Sequence, residues 1–318
     1  MKIVYMGTPE FALPALRALC RSGHQVVGVV TQPDRPRGRG RVLQAPPVKR
    51  FATDAGLRVF QPPNAGAPEF IETLRCLAPD MIIVAAFGQI LKPVIVDHWF
   101  CMNLHASLLP KYRGAAPINR AIVNGDSETG VTTMKMDRGL DTGDILLRRT
   151  VGIGESDDAQ SLHDTLAEEG ASLVLETLNK LEDGSLVPVP QDPAQATYAS
   201  KLTKEDGLIF WNKEAGEIRN LVRGLVPWPG AFTFFKSRRI RVTRAETAPG
   251  TPEDRAGAIA RVSDHGIEVG TAAGRLVITE LQPEGKKNMR AQAFLQGHTM
   301  KKGDRLDARL PSETTNAA

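Results

Sequence analysis

Strand-like and helix-like runs alternate along the first third of the chain. KIVYM precedes FALPALRALCRSG, QVVGVVT follows, and EFIETLRCLA leads into DMIIVAAF. Short apolar runs of the first kind suit strands, and apolar residues at helical spacing suit amphipathic helices. A strand, a helix and a second strand in succession require a crossover connection, so the pattern predicts a parallel sheet with helices on its faces. In such sheets ligands gather beyond the carboxyl ends of the strands. HWFCMNLH supplies a further strand ending at Asn103 and His105, and ETGVTTMKMD alternates before running into RGLDTGDILL, which holds Asp141. NLH and LDTG, though nearly forty positions apart, therefore both follow strands and are expected at one edge.

The rest of the chain changes character. A helix is expected from Ala159 to Leu181, with Leu162, Leu166, Leu173 and Leu181 on one period and Gly184 as its stop. VPVPQDPAQATYASKLTKEDG has three prolines and no clear period, the composition of a linker. Beyond it RRIRVTRAE, GAIARVSDHGIEVG and GRLVITELQ alternate between glycines, as in a small antiparallel barrel, and the tail PSETTNAA is expected to fray. The 318 residues, 42% of them apolar, thus divide into a domain at 1–186, a linker at 187–206 and a second domain at 207–318. No run approaches eighteen apolar residues and the start is too short to be a signal segment, so a cytoplasmic protein is expected. Cys20, Cys76 and Cys101 are odd in number and widely spaced among apolar neighbours, which predicts buried free thiols.

Charge is uneven. From Asp206 onward 18 Lys and Arg face 13 Asp and Glu, a surplus of +5, whereas the first 205 residues stand at −1. A basic second domain points to a polyanionic partner, with a solubilising surface as the plainer alternative. Arg35, Arg37, Arg39 and Arg41 alternate with proline and glycine in TQPDRPRGRGR, which predicts a mobile basic loop suited to phosphate or simply to solvent.

The chemistry concentrates in NLHASLLPKYRGAAP, residues 103–117. Residues i and i+2 of a strand share a face, so Asn103 and His105 reach the same group. An amide donor, an imidazole and a carboxylate at Asp141 suit a reaction that builds an oxyanion while moving a proton. No histidine or cysteine spacing suggests a metal. Ser107 lacks the glycine-flanked elbow of a nucleophilic serine, so direct acyl transfer fits better than a covalent intermediate. GTPEF, where a dinucleotide fold carries G-x-G-x-x-G, places Pro9 and Glu10 after a lone Gly7, which disfavours a pyrophosphate.

These residues resemble the folate-dependent formyltransferases. GTPEF, TQPDRPRGRG, NLHASLLPKYRGAAPI, MDRGLDTGD and KLTKEDG stand in the family's order, and PWPGAF with GKKNM extends the match into the second domain. The resemblance is strongest to members acting on methionyl initiator tRNA. It implies a Rossmann-like parallel-sheet formyltransferase domain followed by an OB-like β-barrel, with 10-formyltetrahydrofolate as donor and no metal. It also implies that Asn103, His105 and Asp141 are catalytic. By the same resemblance Ser107, Leu108, Leu109, Pro110, Ile90 and Leu91 bind folate, and Arg39 and Lys201 bind tRNA. A monomer is expected. Phe210 departs from the pattern, standing where the family commonly has an acidic residue before Trp211. Two other readings are an amino-sugar-nucleotide formyltransferase with the same triad, and a tRNA-binding module whose triad pocket is vestigial.

Overall fold

The computed structural model describes residues 1–37 and 42–308. These fall into two units. Met1–Pro117, Glu128–Gly152 and Leu162–Ser200 form the first; Ile118–Ser127, Ile153–Ser161 and the chain from Lys201 form the second.

Along the first half run strands β1 (Lys2–Gly7), β2 (Gln25–Val30), β3 (Arg35–Arg37), β4 (Val42–Gln44), β5 (Val59–Phe60), β6 (Met81–Ala85), β7 (Cys101–His105), β8 (Arg113–Gly114), β9 (Glu128–Lys135) and β10 (Ile145–Gly152), followed by β11 (Tyr198–Ala199). Helices α1 (Leu13–Cys20), α2 (Pro47–Asp54), α3 (Pro68–Leu77), α4 (Pro93–Val96), α5 (Pro117–Val123) and α6 (Ala159–Glu182) lie between them. The main sheet has the order β10-β9-β7-β6-β1-β2-β5. Its pairs β2–β5, β1–β2, β1–β6 and β6–β7 are parallel, while β9 joins β7 and β10 joins β9 antiparallel. The order reverses direction between β1 and β6, as in a Rossmann-like sheet.

Burial explains the strand sequences. Every residue of β6 (MIIVA) and β7 (CMNLH) is buried, as central parallel strands require, whereas β10, at the sheet's edge, alternates half-buried and exposed positions after its first two residues. On α3 the stripe Phe70, Ile71, Leu74 and Leu77 turns inward. Each such side chain contributes about 1.5–3 kcal/mol of burial. Cys76 falls off that stripe, and Cys20 lies off the inward face of α1. Both are exposed, which corrects the expectation of three buried thiols. Only Cys101 is buried, and desolvation pushes its thiol up to about 12.

The basic stretch also differs from expectation. Rather than an unpaired loop, β3 and β4 form an antiparallel ribbon with Arg35 opposite Gln44 and Arg37 opposite Val42. Each strand of a two-stranded ribbon has one unpaired side, so it accommodates the missing donor of Pro36. Arg39 and Arg41, and the tail expected to fray, lie outside the described residues. The helix expected at 159–181 runs over Ala159–Glu182. Asp158 caps it, accepting from the N–H groups of Gln160 and Ser161 at 2.9 Å. The proline-bearing stretch pairs within the first unit: Val189 bridges Ile145, and β11 lies parallel to β8.

The second unit continues with α7 (Ala215–Gly224), β12 (Phe232–Phe235), β13 (Arg238–Ala248), β14 (Ile259–Val262), β15 (Ile267–Gly270), β16 (Arg275–Pro283), β17 (Met289–Arg290) and α8 (Ala291–Gly297). Its antiparallel sheet runs β12-β13-β16-β15-β14. Asp307 bridges Phe234 on one edge strand and Arg305 bridges Ala258 beside the other, so the segment 305–307 links the two edges of a curled, barrel-like sheet. Trp211, Ile218, Val242, Ile278 and Phe294 are among its core.

Candidate active site

Strand β7 ends at the carboxyl edge of the parallel strands and carries Asn103 and His105, 9% and 6% exposed. Asp141 follows β9 in a tight loop whose far side Asp137 staples, accepting from the Gly139 N–H at 2.9 Å and the Thr142 hydroxyl at 2.7 Å. The expected meeting occurs. Asn103 Nδ2 lies 3.4 Å from Asp141 Oδ1, and His105 Nδ1 lies 3.8 Å from Asp141 Oδ2.

Two backbone groups that no side-chain motif announces complete the arrangement. His105 Nε2 lies 2.9 Å from the carbonyl oxygen of Tyr112. A carbonyl only accepts, so Nε2 carries a proton and Nδ1 is the nitrogen that faces Asp141. Tyr112 adopts a left-handed φ of 60° and donates its own N–H to Thr197 Oγ1 at 2.8 Å, which fixes that carbonyl. The Gly114 N–H donates to Asp141 Oδ2 at 2.8 Å. Gly114 has φ +112°, and a Cβ there would stand 2.8 Å from the Ala199 carbonyl oxygen, so only glycine brings this N–H to the carboxylate without strain.

The remaining expected residues are placed as follows. Ser107 is buried and donates its hydroxyl to the Lys111 carbonyl at 2.6 Å, which occupies it in shaping the loop. Leu109 is fully buried with Met134 and Ile145, Pro110 is buried and Leu108 is partly so. After β6, Ile90 is 82% exposed whereas Leu91 is buried. Lys201 is exposed in the second unit, where Phe210 also lies at the surface beside buried Trp211. Arg39 is outside the described residues, so its role rests on sequence alone. Among the described residues no group of three or more His, Cys, Asp or Glu is placed to hold a metal ion, and no helix is long and apolar enough to cross a membrane.

An amide donor, an imidazole whose Nε2 carries a proton and a backbone-anchored carboxylate thus face one another, while the neighbouring Ser107 hydroxyl is engaged with the Lys111 carbonyl. That set can stabilise an oxyanion and relay a proton.

Comparison with known proteins agrees with this chemistry. Residues 1–178 match the formyl transferase family model and residues 201–299 the formyl transferase C-terminal domain model. A methionyl-tRNA formyltransferase of Citrifermentans bemidjiense is 52% identical over 96% of this chain and 96% of its own length. Among solved structures, the sugar 3N-formyl transferase WlaRD superposes with a TM-score of 0.65 at 19% identity, over 90% of this chain and 99% of its own. The methionyl-tRNA formyltransferase of Clostridium thermocellum superposes with a TM-score of 0.54 at 18% identity, over 77% and 93%. At those identities the structures speak for the fold alone, while the sequence match extends through both domains: the chain belongs to the methionyl-tRNA formyltransferase family.

Proposed function

We propose that Asn103, His105 and Asp141 carry out formyl transfer from 10-formyltetrahydrofolate to the free α-amine of methionyl initiator tRNA, giving N-formylmethionyl-tRNA and tetrahydrofolate for translation initiation. The observation that carries this reading is the convergence of the three side chains within 4 Å at the sheet's carboxyl edge. The neutral amine attacks the formyl carbon, and the carbonyl oxygen takes up negative charge. Asn103 Nδ2 and protonated His105 Nδ1 donate to that oxyanion. Asp141 supports the imidazolium and accepts the proton that leaves the amine, and that proton is passed to the folate nitrogen as its bond to the formyl carbon breaks.

Ser107, Leu108, Leu109 and Pro110, with Ile90 and Leu91, hold the folate. Ile90 offers an exposed apolar side chain, while Leu91 and Leu109 are buried beneath the loops that carry them. Arg39 and Lys201 engage the tRNA. In functional terms residues 1–186 are catalytic, 187–206 link, and 207–318 hold the tRNA, in a cytoplasmic monomer.

The test is a transfer assay with donor and charged tRNA, run beside donor alone to separate transfer from hydrolysis. Asn103→Ala and His105→Ala at saturating substrates should each lower turnover by roughly 100- to 1000-fold, the usual loss for one oxyanion donor. Near-normal turnover in either variant removes that residue from the mechanism.

A further inference from the structure

Gln191 lies in the proline-bearing stretch after α6, where its side chain bonds with two segments that flank the catalytic group. Its Oε1 accepts from Arg113 Nε at 3.1 Å and from Nη2 at 2.8 Å. Its Nε2 donates to the backbone carbonyls of Asp141 at 2.9 Å and Gly143 at 2.7 Å. The partners leave one orientation for the carboxamide, because a guanidinium only donates and carbonyls only accept. Arg113 is itself buried, 5% exposed, so the anchor end of this bridge is fixed. At the other end Asp141 holds a left-handed φ of 53°, a conformation a non-glycine residue keeps only when its surroundings impose it. Asp137 staples the far side of the loop, and the Gln191 bridge holds the side on which Asp141 faces His105.

We infer that Gln191 is a positioning residue for formyl transfer, clamping the backbone of Asp141 to the buried Arg113 so that the carboxylate stays aimed at His105. This rests on the catalytic reading of Asp141. Only an uncharged amide performs both tasks. A carboxylate of the same shape still accepts from Arg113 but has no hydrogen for the two carbonyls, and it sets a negative oxygen against them. Gln191→Glu therefore releases the loop while keeping the guanidinium partnered.

The experiment compares wild type, Gln191→Glu, Asp141→Asn and the double variant in the full-length protein, with 10-formyltetrahydrofolate and charged tRNA varied separately. Gln191→Glu should melt near wild type and lose about 10- to 100-fold in kcat, the scale of a reacting group displaced by around an ångström, with KM for both substrates unchanged. In the Asp141→Asn background the same change should cost nothing further, since the group it positions is gone. A wild-type kcat, a loss confined to KM, or losses that multiply in the double variant each overturn the positioning role. Should Gln191→Glu fail to fold, Gln191→Asn, neutral but too short to span both ends, carries the same kcat and double-variant comparison. Normal turnover in Asp141→Asn alone instead removes the catalytic reading of Asp141, an outcome separate from any result at position 191.

Discussion

His105 has one ring nitrogen already engaged. With Nε2 donating to the Tyr112 carbonyl, Nδ1 is the nitrogen that faces Asp141 and, in the proposed mechanism, the substrate, and the two amide substitutions divide accordingly. The terminal amide of asparagine falls near the position of Nδ1, and that of glutamine near Nε2. Turnover of His105→Gln should fall by roughly 100- to 1000-fold, and that of His105→Asn about tenfold less severely. Single-turnover measurements at saturating donor check this, and a glutamine variant faster than the asparagine variant reverses the assignment of the working nitrogen. At this scale the sequence was partly legible. The two-residue spacing of Asn103 and His105 placed both on one face of a strand, and the strand preceding LDTG brought Asp141 to the same edge, a grouping the family resemblance also implied. The groups that hold them in place were not legible. Tyr112 and Gly114 act through backbone atoms, which leave no side-chain signature. Gln191 stands 50 positions from Asp141 and 78 from Arg113, in a stretch whose composition reads as a linker.

Elements were legible where a local period decides them and illegible where a distant partner does. Leu162, Leu166 and Leu173, all buried, announced α6 because its inward face is continuous. Strands β8 and β11 have two residues each and exist only because Tyr198 meets Arg113 across the fold. In β3, proline concealed a ribbon that pairing with β4 creates. Strands β15 and β16 show how charge reinforces such pairings. On β16, Arg275 is bound by Asp254 Oδ2 at 2.7 Å and Oδ1 at 3.0 Å, and by Glu268 of β15 at 2.9 Å. The Arg275 hydrogen bonds, aided by the Thr251 N–H, hold the Asp254 carboxyl below the usual carboxylate range. A carboxyl depressed in the folded state stabilises fully above its unfolded value of about 3.9, and that contribution drains away as the pH falls through the lower folded value. Asp254→Asn should therefore cost about 1.5–3 kcal/mol at neutral pH, with the gap to wild type closing below about pH 4. Urea midpoints from pH 7 to 3 measure this, and a gap independent of pH assigns the loss to packing rather than charge.

Over the whole molecule the charge asymmetry bears on where the proposed tRNA substrate would be held. Much of the positive charge beyond Asp206 is used within the second unit: Arg275 is tied to Asp254 and Glu268, Arg219 to Glu155, and Arg239 sits 3.9 Å over the Phe232 ring. Arg238 and Arg244 on β13, and Lys286 and Lys287 between β16 and β17, are instead exposed. The first 205 residues carry −1 overall, so on the proposed function long-range attraction for tRNA would fall to these exposed cations of the second unit and to the arginines between positions 35 and 41. Each phosphate that a cation neutralises releases counterions, which gives the logarithm of affinity a slope against the logarithm of salt of roughly 0.7 to 0.9 per neutralised phosphate. Replacing Arg238, Arg244, Lys286 and Lys287 together by glutamine removes charge without touching the barrel core or the catalytic group. Binding of charged tRNA should then weaken, and its salt slope should flatten by roughly 0.7 to 0.9 for every phosphate no longer neutralised. Turnover at saturating tRNA should persist, since Asn103, His105 and Asp141, the proposed reacting groups, lie in the other unit. Fluorescence titrations across a salt series supply both slopes. An unchanged slope with the fold intact transfers phosphate binding to the arginines at 35–41 and leaves the second unit's surplus as a solubilising surface.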